Sequence, residues 1–339
     1  MRAVIKAIEY HLPERSLTNS QLIAEFPEWT TEKIEQKTGI AERRIAAQDE
    51  CSSDLGVAAA QKLFSSGACL PGEIDYILLC TQTPDYFLPT TACIMQERLE
   101  IPTTAGALDF NLGCSGYVYG LGLAKGLIET GQARNVLLIT AETYSKLLSP
   151  DDKSVRAIFG DAAAATLITG SEREESQSGE WIGPFVFGTD GGGAKNLIVP
   201  AGGMRQRYAS SEQSDVNENR NPDDCLYMNG PEIFTFTLRV VPKTVEKLLS
   251  QARKRLEDID LFVFHQANKY MLDYLQKKLK IPEEKFYIAM RHCGNTVCST
   301  IPIALNHALE EKRLQPGQQA MLVGFGVGYS WAGALIRWA

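Results

Sequence analysis

The sequence predicts an α/β protein made of two similar halves, and three observations carry that prediction. Apolar runs of strand length alternate with helical patterns along most of the chain, which implies sheets covered by helices on both faces. Two passages then match: Glu73-Ile74-Asp75-Tyr76-Ile77-Leu78-Leu79-Cys80-Thr81-Gln82-Thr83 and Asp258-Ile259-Asp260-Leu261-Phe262-Val263-Phe264-His265-Gln266-Ala267-Asn268. Each is an acidic turn, a buried-strand run and a polar loop. The punctuation downstream matches as well: Leu99-Glu100-Ile101-Pro102 with Leu279-Lys280-Ile281-Pro282, and Gly131-Gln132 with Gly317-Gln318, each of the latter leading into an apolar run. Matched landmarks in one order indicate an internal duplication, with halves at 1–175 and 176–339. Largely parallel sheets are expected, stacked in five layers, α/β/α/β/α, with the site near the pseudo-twofold junction.

Taken in order, Met1-Arg2-Ala3-Val4-Ile5-Lys6 reads as a first strand, and a helical stretch closes at Lys37-Thr38-Gly39-Ile40. Glu42-Arg43-Arg44-Ile45 reads as a solvated basic loop. Ser52-Ser53-Asp54 caps a helix ending near Gly67. Leu108 to Gly116 reads as strand, sharp turn and helix start, and the uncharged run after it spaces Gly116, Gly120 and Ala124 for close packing. Gly188 to Gly203 is glycine-rich, but no Gly-Lys-Ser/Thr follows Gly191-Gly192-Gly193, which disfavours a nucleotide loop. The polar stretch Arg205 to Asp224 reads as an exposed loop or flap. Gly324-Phe325-Gly326-Val327-Gly328 reads as a tight turn between closing strands.

The bulk properties exclude several classes. The 339 residues are 44% hydrophobic and 22% charged, with net charge −7, which disfavours nucleic acid or an anionic membrane as main partner. No apolar run is long enough for a membrane span, and the N-terminal residues do not read as a secretory signal, so a cytoplasmic protein is expected. Eight cysteines without a Cys-x-x-Cys pair fit free thiols better than disulfides, and zinc-ligand spacing is missing.

Chemistry points first to Cys114. The turn before it places the thiol at a helix N-terminus, where unpaired N–H groups and the helix dipole favour a thiolate. A buried structural cysteine is the competing reading. The duplication raises the interest of two further loops, one carrying His265 and one carrying His292-Cys293-Gly294-Asn295-Thr296. A thiolate, an imidazole and a carboxamide suit acyl chemistry through a covalent thioester. His265 and Asn295 could also donate to a thioester carbonyl and stabilise the enolate left when malonyl loses carbon dioxide. A cysteine hydrolase uses the same residue types, so the types alone do not decide. The glycines around Val327 would let backbone N–H reach an oxyanion.

Together, Asn111-Leu112-Gly113-Cys114-Ser115-Gly116, Phe159-Gly160-Asp161, His265-Gln266-Ala267-Asn268, Gly294-Asn295-Thr296 and Gly324 to Gly328 resemble the 3-oxoacyl-(acyl-carrier-protein) synthase III family. The motifs occur in family order over nearly the whole chain, including Lys37 to Ile40 and Met228-Asn229-Gly230. The resemblance implies the thiolase fold, a homodimer and no permanently bound cofactor. It implies that Cys114 takes an acyl group from a coenzyme A or carrier-bound phosphopantetheine thioester. His265 and Asn295 then hold malonyl-acyl carrier protein while it decarboxylates and condenses to a 3-oxoacyl thioester. The backbone N–H groups of Cys114 and Val327 would meet the oxyanion. Asn268, Gly230, Phe234, Leu88 and Lys153 match substrate-binding positions.

The chain departs from the family at the substrate entrance. Lys33 falls where housekeeping members place an adenine-stacking tryptophan, with Trp29 four residues earlier. Lys153 replaces an arginine fork by a point charge. Tyr270 replaces a carrier-docking arginine, and Leu88 stands where phenylalanine limits chain length. A specialised member with a roomier pocket and a carrier-bound donor is expected. Competing readings are a same-fold acyltransferase acting on a non-malonyl acceptor and a cysteine thioester hydrolase.

Overall fold

The computed structural model describes residues 1–172, 181–209 and 223–339. The first half runs β1 (Arg2–His11), β2 (Ser16–Thr18), α1 (Asn19–Glu25), α2 (Thr31–Thr38), β3 (Glu42–Arg44), α3 (Ser52–Ser65), β4 (Tyr76–Cys80), α4 (Thr91–Arg98) and β5 (Gly106–Phe110). It continues with α5 (Gly116–Glu129), β6 (Asn135–Glu142), α6 (Lys153–Arg156) and β7 (Ala162–Ser171). The second half holds β8 (Ile182–Thr189), β9 (Leu197–Ile198), β10 (Tyr227–Met228), α7 (Gly230–Ala252), β11 (Leu261–Phe264), α8 (Lys269–Leu279), α9 (Thr300–Glu310), β12 (Gln319–Gly326) and β13 (Ser330–Arg337). The expected boundary at 175/176 and the core of the 205–224 stretch lie outside the described residues.

Both sheets use one topology. The first has the order β1-β7-β6-β4-β5 and the second β8-β13-β12-β11, so β1, β7, β6 and β4 correspond to β8, β13, β12 and β11. A parallel bridge from Phe262 to Phe286 marks the place of a fifth strand in the second sheet. The sheets are mixed, which corrects the expectation of largely parallel ones. Among the described residues of these two sheets only β4–β5, β4–β6 and β11–β12 are parallel, whereas β1–β7, β6–β7, β12–β13 and β13–β8 are antiparallel. The three-residue turn Val327-Gly328-Tyr329 joining β12 to β13 is far too short for a crossover, so it enforces antiparallel pairing.

Strand periodicity sorts the core into layers. On β6, Val136 and Leu138 join one cluster with α5 and α9 residues, including Leu121, Ala124, Ile301 and Leu305. Leu137 and Ile139 face the other way, against Leu55 and Leu63 of α3 and Met95 of α4. On β12, Ala320 and Leu322 meet the same central cluster, while Met321 and Val323 pack against α7 and α8. The result is α3/α4, sheet, α5/α9, sheet, α7/α8. The small residues on α5 permit this spacing: a Cβ on Gly120 would stand 2.5 Å from Leu138. Gly193 serves packing too, since a Cβ there would lie 2.1 Å from the Tyr329 ring.

The basic cluster at 42–45 is a correction. Arg43 is fully buried in β3, not solvated. Its guanidinium donates through Nε and Nη2 to the carbonyl oxygen of Ala157 and through Nη1 to Asn19 Oδ1. Satisfied geometry, rather than a carboxylate partner, lets the charge stay inside, and burial lowers its pKa to about 10.

Candidate active site

Two central helices aim their N-termini at one place. Cys114 ends the turn after β5 and precedes α5, while Asn295 precedes α9. The turn is locked from both halves: Cys80 Sγ donates to Leu112 O at 2.9 Å, and Ser115 Oγ lies 2.7 Å from Ser330 Oγ. Gly324 and Gly326 let β12 pass over the cysteine. A Cβ on Gly326 would be 2.9 Å from Cys114 Cβ and Sγ, and one on Gly324 would be 2.6 Å from Cys114 O. The N–H groups of Cys114 and Val327 stabilise a thiolate, but burial dominates and pushes the thiol up to about 12. The expectation of a helix-favoured thiolate is thus corrected: the dipole acts, yet desolvation outweighs it.

His265 follows β11 and extends its ladder, its N–H donating to Val323 O at 2.8 Å. The ring stands edge-on to Phe325, centroids 5.5 Å apart, one residue before Gly326. Nδ1 lies 2.7 Å from Thr300 Oγ1. Burial drives the imidazole pKa down to about 3, so the ring is neutral, with a hydrogen bond to the Val297 backbone opposing the shift.

Asn295 is bolted to the first half through Phe159. Its N–H donates to Ile158 O at 2.9 Å and its carbonyl accepts from Gly160 N–H at 3.0 Å. The carboxamide is oriented by Val297 N–H on Oδ1 at 2.9 Å and by Nδ2 donating to Ala267 O at 3.4 Å. Ala267 lies two residues after His265, which ties the two side chains together. Cys114, Tyr144, Phe159, Val297 and Val327 share one apolar cluster. A cavity of about 940 Å³ opens beside it, lined by Tyr144, Leu147, Leu197, Val199, Leu226 and Val327.

The remaining candidates sit on separate elements, each with its own local contacts. Asn268 caps α8, its Oδ1 accepting from Met271 N–H at 2.9 Å. Gly230 opens α7 with empty space where a Cβ would stand. Phe234 packs with Tyr270 and Tyr274, centroids 5.6 and 5.4 Å away. Lys153 pairs with Glu28 and lies over the Trp29 ring. Leu88 is 85% exposed. Sequence reasoning missed Glu142 and Thr300. Glu142, fully buried at the end of β6, accepts from Gln82 N–H at 3.0 Å and Thr83 Oγ1 at 2.9 Å. One acid ending an apolar strand was its signal; Thr300 had none.

A duplicated five-layer body with its cysteine at a central helix N-terminus is the thiolase fold, here in a condensing, acyltransferase-type enzyme. Residues 108–191 match the family model described as 3-oxoacyl-[acyl-carrier-protein (ACP)] synthase III, and residues 249–338 match that of its C-terminal part. The beta-ketoacyl-[acyl-carrier-protein] synthase III of Caldanaerobacter subterraneus subsp. tengcongensis is 37% identical, covering 97% of this chain and 96% of its own. That of Clostridium perfringens is 38% identical, covering 95% of each. A crystal structure of a 3-oxoacyl-(acyl-carrier-protein) synthase III superposes over both whole chains with TM-score 0.96 and 56% identity. A 3-oxoacyl-(acyl-carrier protein) synthase from Burkholderia xenovorans LB400 has TM-score 0.92 and 36% identity, over 100% of this chain and 95% of its own. The chain belongs to the 3-oxoacyl-(acyl-carrier-protein) synthase III family.

Proposed function

We propose that the chain performs a decarboxylating condensation in which Cys114 is the nucleophile and His265 and Asn295 are the enolate-stabilising pair. The observation that carries this reading is the convergence of the Cys114 turn with two neutral donors joined through Ala267. Sulfur attacks the acyl carbonyl, the oxyanion is met by the N–H groups of Cys114 and Val327, and the donor's thiol leaves with the cysteine proton. Malonyl thioester then loses carbon dioxide. Its enolate oxygen accepts from His265 and Asn295, and its carbon attacks the acyl-enzyme, releasing a 3-oxoacyl thioester and free Cys114. Neutral histidine suits this role, since it donates without protonating the carbanion.

We assign the acyl chain to the cavity between Tyr144 and Leu226, and the pantetheine arm to the passage past Asn268, Gly230 and Phe234. The donor is carrier-bound: Lys153 and Arg156, on α6 at the entrance, are occupied by Glu28 and Glu25, which weakens their hold on a nucleotide phosphate. The halves divide near 175. The chain works as a homodimer in the cytoplasm. Supporting the dimer, β5 is a sheet edge, exposed Leu123 and Phe187 line one apolar hollow with Phe110 and Phe185, and Tyr86, Phe87 and Leu88 form an exposed apolar run.

Intact-mass spectrometry with acyl-coenzyme A and acyl-carrier panels tests the reading, with Cys114→Ala alongside. An adduct lost in the variant and discharged by malonyl-carrier as a 3-oxoacyl thioester is expected. An adduct released only as free acid would replace condensation by hydrolysis. Sedimentation tests the dimer.

A further inference from the structure

Thr300 is the first residue of α9 and is buried behind His265. Its hydroxyl oxygen lies 2.7 Å from His265 Nδ1 and 3.0 Å from the carbonyl oxygen of Val297. One hydroxyl proton therefore faces two acceptors. If it goes to Nδ1, the neutral imidazole carries its own proton on Nε2. If it goes to Val297, Nδ1 keeps the ring proton and Nε2 becomes a bare acceptor. Burial excludes the imidazolium that would make the choice irrelevant. The position of one proton thus decides whether His265 offers a donor or a base.

Val297 adds a second constraint from the other side. Its φ is 54°, in the left-handed region that a β-branched residue enters only under constraint. In that conformation its N–H meets Asn295 Oδ1 at 2.9 Å while its carbonyl faces Thr300. With Oδ1 occupied, the Asn295 amide can turn only its NH₂ group to a substrate. One N–H reaches Ala267 O, which leaves the other.

We propose that Thr300 and Val297 are positioning residues that present His265 Nε2–H and Asn295 Nδ2–H together to one thioester oxygen. In this arrangement the Thr300 proton goes to Nδ1, 2.7 Å away, in place of the Val297 carbonyl at 3.0 Å, and the strained Val297 peptide fixes the amide. This deepens the roles assigned to His265 and Asn295 above and rests on them. It also gives the strain at Val297 a purpose: a relaxed peptide would release the Asn295 amide.

The test reads the proton directly. The chain has four histidines, His11, His265, His292 and His307, so protein labelled with ¹⁵N-histidine gives a resolvable spectrum. The wild type is expected to show one non-titrating ring protonated on Nε2 only, absent from His265→Gln. Thr300→Val removes the donor. A signal from protonated Nδ1 should then appear, and decarboxylation of malonyl-carrier should fall about 10²-fold, the usual loss for one oxyanion donor. Acylation of Cys114, followed by mass, should stay within about threefold of wild type because it does not use that donor. Thr300→Ser should restore both the tautomer and the rate. A wild-type ring protonated on Nδ1 overturns the proposal even if Thr300→Val does not fold. So does a variant in which acylation and decarboxylation fall equally, or in which neither changes. Failure of the wild type to decarboxylate malonyl-carrier at all would instead sink the underlying condensation reading, and the spectrum separates the two.

Discussion

Gly326→Ala puts the most direct question to the site. The new Cβ would sit 2.9 Å from both Cβ and Sγ of Cys114. Ordinary contacts between such atoms are about 3.5–4.0 Å, so strand or cysteine must yield by about 0.6–1 Å. Neither is loose. Gly326 is paired with Ser330 across β12–β13, and the Cys114 turn is held through Ser115 and Leu112. Overpacking of this kind costs about 1–3 kcal/mol. A displacement near 1 Å costs a reaction about 10²-fold. Both effects should appear: a lower melting temperature, and acyl-enzyme formation slowed by about two orders of magnitude in rapid-quench mass spectrometry. Gly72→Ala is the control, because nothing lies within 4 Å of its Cβ position, and it should leave acylation unchanged. Acylation within about twofold of wild type in Gly326→Ala, with unchanged melting, would refute the close approach of β12 to Cys114.

Three further outcomes follow from buried groups. Arg43→Lys keeps the charge but loses the fork on Ala157 O and Asn19, so urea denaturation should show a loss of about 1–3 kcal/mol. Glu142 is held protonated up to about pH 8 by burial, against a carboxylate value of 4.5 in the unfolded chain. The folded protein thus binds the extra proton between those values, and its stability falls as pH rises through that window. Glu142→Gln lacks this titration, so its melting temperature should climb relative to wild type as pH rises; a constant offset would exclude the effect. His265 behaves oppositely in acid: the unfolded chain takes up a proton below 6.5 and the folded one only near 3, so stability drops between those values. His265→Gln should shift the acid-unfolding midpoint downward while abolishing malonyl decarboxylation.

The five layers were legible because strand and helix signals are local. The matched runs at 73–83 and 258–268 became β4 and β11 with their polar loops, in corresponding places of the two sheets. Strand direction was not legible, since an apolar run reads the same both ways and only the length of its connection decides. Arg43 misled for a related reason. A basic pair in a polar context signals solvent unless the backbone acceptors that satisfy it are known, and Ala157 is 114 residues away. The loops carrying Cys114, His265 and Asn295 could be named from turn chemistry and resemblance. Their electrostatics could not, because desolvation depends on every layer that closes over them.

The duplication also explains why the site is asymmetric. Each half contributes a central helix whose N-terminus faces the junction, so each could have carried a nucleophile. In the first half that place holds Cys114, lidded by glycine-lined β12 of the second half. In the second half, Cys298 lies just before α9, but its thiol donates to Glu142 at 3.3 Å and toward Cys80 O at 3.5 Å. Burial and the nearby carboxyl push it well above its ordinary value. Cys298 is buried with its thiol tied to these acceptors, and the second helix entrance is left to Asn295, Val297 and Thr300. On the proposed mechanism, one copy of the unit holds the acyl group and the other receives negative charge on oxygen. A reaction joining two acyl units needs both, at one junction, facing each other.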